Sequence, residues 1–175
     1  AAFAGSALKF LLFSSALIVS AWGILEHFGA SPSCLVITGQ FDVSCWVPDV
    51  QGRIFATLGQ PNWLAAWLVA LAPITWALAL KLKNTERGGQ LNWLLVGVSL
   101  VIFLALLFTK SRSGFLAFAA AFAIFWGVAL FFRRAFRPFL IFTVSFLILA
   151  AVFGTPFTPS TTQPFPPEEG GTALE

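Results

Sequence analysis

Apolar residues fill five long stretches of this chain, near Leu8–Phe28, Asn62–Leu80, Leu91–Phe108, Ser113–Phe132 and Pro138–Phe153. Polar and charged residues gather in the segments between them. Several of the stretches approach or exceed the roughly 18 to 20 residues that a helix needs to cross the hydrocarbon core. Within them, polar side chains beyond Ser and Thr are scarce. The pattern predicts an all-α, polytopic transmembrane helix bundle of about five spans over residues 1–154, with an outer loop at about 29–61. Leu11 to Val19 lacks a clear small-residue cleavage site and is followed by further spans, so it reads as a retained helix, not a signal peptide. From Thr155 to Glu175 the chain carries Pro156, Pro159, Pro164, Pro166, Pro167, Gly170 and Gly171. Such a run cannot continue a helix and reads as an extended connector.

Charge sets the orientation. The short segments Lys81–Gln90 and Arg133–Arg137 are basic, and short basic loops are kept on the cytoplasmic side. Placing both inside puts Lys9, Lys81, Lys83, Arg87, Arg133, Arg134 and Arg137 there and leaves Arg53, Lys110 and Arg112 outside. The N-terminus is then inside, and the connector after residue 154 is outside.

Composition agrees. The chain is 58% hydrophobic and 10% charged, against about a quarter charged in soluble domains. The net charge of +3 is accounted for by cytoplasmic loop charges and calls for no nucleic-acid partner. Trp22, Trp63 and Trp93 fall near span ends, where an indole buries its ring and keeps its N–H wet. Pro73 lies inside the second span and is expected to kink it. Ser113, Ala117 and Ala121 recur at four-residue spacing, a stripe of small residues that would let another helix approach.

The outer loop holds both cysteines, Cys34 and Cys45. An outward location is oxidising, and a disulfide there would stabilise the loop by about 2 to 4 kcal/mol. The other reading is two unrelated thiols near an interface. His27, the single histidine, has no ligand set with them, so no metal is expected, and it reads as an interfacial residue. Glu26, Asp42 and Asp49 are the acids of this region, and their spacing suggests no catalytic pair.

Two segments carry the candidate chemistry. In Thr109-Lys110-Ser111-Arg112-Ser113-Gly114, two cations and two hydroxyls meet the start of a helix, whose exposed N–H groups and positive dipole end favour anions. A guanidinium grips phosphate oxygens in bidentate fashion, better than an ammonium. Arg53, on the same side, adjoins the next span, and an arginine at that depth needs water, lipid phosphate or an anionic partner. A lipid diphosphate and ordinary snorkelling to phospholipid headgroups both meet that need. In the second segment, Gly59 permits a tight turn, Pro61 suits a first helical turn, and Gln60 and Asn62 offer amides at the bundle mouth. These residues either shape a site or simply cap the span.

Together the segments resemble a known pattern. Thr57-Leu58-Gly59-Gln60-Pro61-Asn62-Trp63-Leu64-Ala65 is similar to the "T-x-G-x-P-N-x-L-A" stretch of the O-antigen ligase superfamily, and Thr109 to Gly114 to its "T-x-S-R-x-G" segment. The resemblance covers roughly Gly52 to Phe132. It implies a bacterial cytoplasmic (inner) membrane glycosyltransferase that moves a glycan from an undecaprenyl-diphosphate donor to lipid A core or a protein acceptor, with no metal or other cofactor. Arg112 would hold the donor diphosphate, with Arg53 a second ligand and Lys110, Ser111 and Ser113 around them. Gln60 and Asn62 would shape the site. Such enzymes carry a catalytic histidine in a large external segment after these spans. This chain reaches Glu175 where that segment would begin, so the expectation is a donor-binding piece of a longer protein, inactive alone.

Two other classes fit parts of the pattern. A transporter or flippase for an anionic lipid-linked substrate needs polar groups along a path through the spans, and the sequence offers few. A non-enzymatic membrane scaffold needs only the small-residue stripe.

Overall fold

The computed structural model describes residues 2–82, 88–132 and 136–158, and every one of its regular elements is helical. The helices are α1 (Ala2–His27), α2 (Pro32–Thr38), α3 (Pro61–Leu82), α4 (Gly88–Phe108), α5 (Arg112–Phe131) and α6 (Phe136–Phe153), with a single 3-10 turn at Ala56–Leu58. Lys83, Arg87, Arg133 and Arg134, and the connector from residue 159 onward, lie outside the described residues.

All five apolar stretches are helical. Pro61–Lys81, Arg112–Phe131 and Phe136–Phe153 are long and apolar enough to cross a membrane. A fourth arises if Leu11–His27 and α2, bent by 79° from each other, form one path. Helix α4 is 21 residues long and apolar over Trp93–Phe108. Among the described residues, three to four helices are thus candidate spans, consistent with the expected polytopic bundle.

The bundle is built around α3 and α4, which pack against each other more extensively than any other pair. They run antiparallel: the Trp76 indole N–H donates to the Ser99 hydroxyl at 2.8 Å, while the C-terminal end of α4 sits beside the segment leading into α3. Helix α1 covers α4 and α3, α5 lies on α3, and α6 on α4. Being apolar on all sides suits a helix for the centre of a bundle. On α4, Leu95, Val98, Ile102, Phe103, Ala105, Leu106, Leu107 and Phe108 are accordingly buried. Trp76 is fully buried within a cage of Phe118, Phe122, Phe125 and Phe146, its one polar atom satisfied by Ser99. Helix α3 continues through Pro73 as one element.

The outer helices invert the soluble pattern. Leu116, Ile124 and Val128 on α5, and Val144, Leu147, Ile148 and Val152 on α6, are all more than half exposed. In water a continuous surface of this kind would drive association, whereas acyl chains match it. Trp63 and Trp93 stand exposed at opposite ends of the bundle, the levels of the two bilayer interfaces. The chain is a multi-pass membrane protein.

The small-residue stripe is not what brings α5 close to α3. Ser113 and Ala117 are exposed, and the approach falls one position on, at Gly114. A Cβ at Gly114 would overlap the Ala65 methyl. Phe118 and Trp126 continue this buried face.

Residues 29–60 cap one end of the bundle. Gly29, at φ 85°, ends α1: its N–H donates to the Glu26 carbonyl, and the Ala30 N–H reaches back to Leu25. That pairing satisfies carbonyls the helix end would leave open. Cys34 and Cys45 are joined in a disulfide, their Cα atoms 5.4 Å apart. Beyond it, Ile54, Phe55 and Ala56 are buried against the bundle.

Candidate anion site

The turn Thr109–Ser111 joins α4 to α5, and its backbone decides where its charges go. Thr109 is buried; its hydroxyl donates to the Leu106 carbonyl at 2.7 Å and accepts the Ser111 N–H at 3.2 Å. Lys110 then takes a left-handed conformation, φ 51°, which costs a residue with a side chain about 1–2 kcal/mol. Ser111, buried and extended, caps α5: its Oγ accepts the Gly114 N–H at 3.1 Å. The same hydroxyl donates to Oδ1 of Asn62 at 2.9 Å, pinning the first turn of α5 to that of α3. Arg112 is the first residue of α5, so its side chain leaves the helix at its N-terminal end.

Arg53 arrives from the other loop. The Asp49 carboxylate accepts the Gly52 N–H at 2.9 Å, and the Asp49 carbonyl accepts the Arg53 N–H at 3.2 Å, closing a turn. The Ile54 N–H then donates to the Phe108 carbonyl at 3.2 Å. The Arg53 Nε donates to the Thr109 carbonyl at 3.4 Å, a long bond, and the terminal NH2 groups of the guanidinium remain for other partners.

Arg53, Asn62, Lys110, Arg112, Ser113 and Pro156 line one open cleft of about 540 Å³. Three cations share it, and among the described residues no acidic side chain lines it. Like charges repel, so the assembly favours an anion that can bridge them. Asn62 and Ser113 add neutral hydrogen-bonding groups, and the first N–H groups of α5 have no partner within the helix.

The cleft therefore gathers five of the residues singled out from sequence: Arg53, Asn62, Lys110, Arg112 and Ser113. Ser111 stands behind them, buried, holding the turn and not lining the cleft. Gln60 is not brought in. It is exposed, and its carbonyl receives the N–H groups of Trp63 and Leu64 at the start of α3.

Three residues at this end of the molecule escaped the sequence reading. Pro156 forms a wall of the cleft, and the Arg112 guanidinium carbon lies 5.8 Å from the Phe157 ring centre, a cation–π arrangement. The only advance signal was a Gly-Thr-Pro-Phe run directly after the last span. Glu26, grouped by sequence with the loop acids, is instead fully buried in the last turn of α1. Its neighbour His27 stacks on Phe108, ring centroids 3.8 Å apart, and its Nδ1 donates to the Gln51 carbonyl at 2.6 Å. His27 thus braces the loop that carries Arg53.

No protein-family model matches the chain, and no curated protein or solved structure does either.

Proposed function

We propose that this chain binds the diphosphate of a lipid-linked glycan, as the donor-binding part of a membrane glycosyltransferase of the O-antigen ligase type. One observation carries the reading: Arg53 and Arg112, far apart in sequence, meet with Lys110 in a single open cleft at the end of an apolar bundle. A diphosphate offers oxygens for two guanidinium forks and an ammonium, and its polyprenyl chain belongs in the bilayer beside the exposed faces of α5 and α6. If glycosyl transfer follows, the bond from the anomeric carbon to the diphosphate oxygen breaks, the acceptor hydroxyl oxygen takes its place, and the hydroxyl proton passes to solvent. The leaving diphosphate gains negative charge, which fixed cations stabilise without rearranging.

Charge placement supports an outward-facing cleft. Lys81 lies in the last turn of α3 and Arg137 in the first turn of α6, both at the far end of the bundle from the cleft. Basic residues at that end mark the cytoplasmic side, so the cleft opens outward, in a bacterial inner membrane on this reading.

The test is binding of an undecaprenyl-diphosphate saccharide to detergent-purified protein, comparing wild type, Arg112→Ala and Lys81→Ala. Loss at Arg112 with retention at Lys81 is expected. Equal binding in all three, or none in wild type, would overturn the reading and advance a transporter or scaffold in its place.

A further inference from the structure

The cleft depends on a loop whose own anchor is a buried carboxylate. Glu26 is fully buried, and an ionisable side chain in such a place is costly unless its oxygens are satisfied. Both are: the Trp22 indole of α1 lies against the carboxylate, and two further partners belong to the outer loop. Oε2 accepts the Ala56 N–H at 3.1 Å, and Oε1 accepts the Ser31 hydroxyl at 3.2 Å. Ser31 in turn accepts the Trp46 indole N–H at 3.0 Å, one residue beyond the disulfide at Cys45.

Ala56 is the informative partner. Its φ of 48° is left-handed, a conformation a residue with a Cβ holds only when its surroundings impose it. It lies three positions after Arg53, and Ile54 between them is pinned to Phe108. Across α1, Gly23 leaves room for Ile54, whose Cδ1 would lie 2.7 Å from a Cβ placed there. Segment 53–56 is thus held from two sides, by the Phe108 and Thr109 carbonyls and by the Glu26 carboxylate. We infer that Glu26 is a positioning residue for Arg53: by fixing the Ala56 N–H, it sets the Arg53 guanidinium over the Thr109 carbonyl and into the anion cleft. This rests on the anion-binding reading above.

The test measures inorganic pyrophosphate binding to the full purified chain alongside amide hydrogen exchange across residues 53–58. Glu26→Ala should weaken binding about tenfold, the scale of a lost hydrogen bond to a charged group, and speed exchange at Ile54 and Ala56. Glu26→Gln should weaken binding less than Glu26→Ala, because its oxygen still accepts from Ala56 while its NH2 turns the Ser31 hydroxyl from donor to acceptor. In an Arg53→Ala background, Glu26→Ala should change binding by less than about twofold, since coupled residues are not additive. An equal loss in both backgrounds, or unchanged exchange at Ile54 and Ala56, would overturn the inference. If Glu26→Ala does not fold, Glu26→Asp keeps the carboxylate but shortens its reach, and the same cycle applies. If wild type binds no pyrophosphate, the functional reading fails separately, and exchange at Ile54 and Ala56 alone decides the positioning role.

Discussion

The Ser111 hydroxyl donates to Asn62 at 2.9 Å and accepts from the Gly114 N–H at 3.1 Å, so one buried oxygen both caps α5 and ties it to α3. Removing it acts on two levels. Ser111→Ala should cost about 0.5–2 kcal/mol as a lost cap, read as a lower Tm in detergent. It should also weaken diphosphate binding although every cation remains. Unchanged binding would mean that the Asn62 tie does not shape the cleft.

Gly114 tests the helix contact. Gly114→Ala should destabilise by about 1–3 kcal/mol, because the added methyl overlaps that of Ala65. Ala65→Gly should recover part of the loss in the double variant. Additive effects in a thermal-unfolding cycle would show that the two positions do not meet.

Lys110 separates charge from backbone strain. Lys110→Gly removes the ammonium and relieves the left-handed residue, so it should raise stability by about 1 kcal/mol while weakening anion binding. Lys110→Ala should weaken binding equally with no gain in Tm. Binding to both should fall as salt rises, through screening of an exposed site.

The Cys34–Cys45 disulfide closes the loop that Trp46 and Ser31 connect to Glu26. The Cys34→Ser, Cys45→Ser double variant should lose about 2–4 kcal/mol. Proteolysis should then cut first between residues 35 and 45. A wild-type digestion pattern would contradict this.

The helices were legible because lipid and water sort residues by composition: long apolar runs declare themselves whatever they pack against. The Thr109–Gly114 turn was legible because it is local, cap and charges within a few residues. What packs on what was not. An all-round apolar helix such as α4 presents no face to read, so periodicity could not assign its neighbours. On α5 the small-residue stripe named no partner helix; the contact with α3 is at Gly114, one position from Ser113, and one position rotates a helical side chain by about 100°. Glu26 and Ala56, Arg53 and Thr109, and Arg112 and Phe157 are pairs far apart in sequence. Nothing in either member's local pattern announces the other.

The bond from Arg53 to Thr109 has an electrical consequence. Two antiparallel helices joined by a tight turn set a negative carbonyl end beside a positive amide end, and at a distance the two fields nearly cancel. Here α4 ends under the Arg53 guanidinium and the Ile54 N–H, which neutralise its negative pole. The positive pole of α5 is left uncancelled, and the hairpin tip acts on its surroundings as a small net cation before any side chain of the turn is counted.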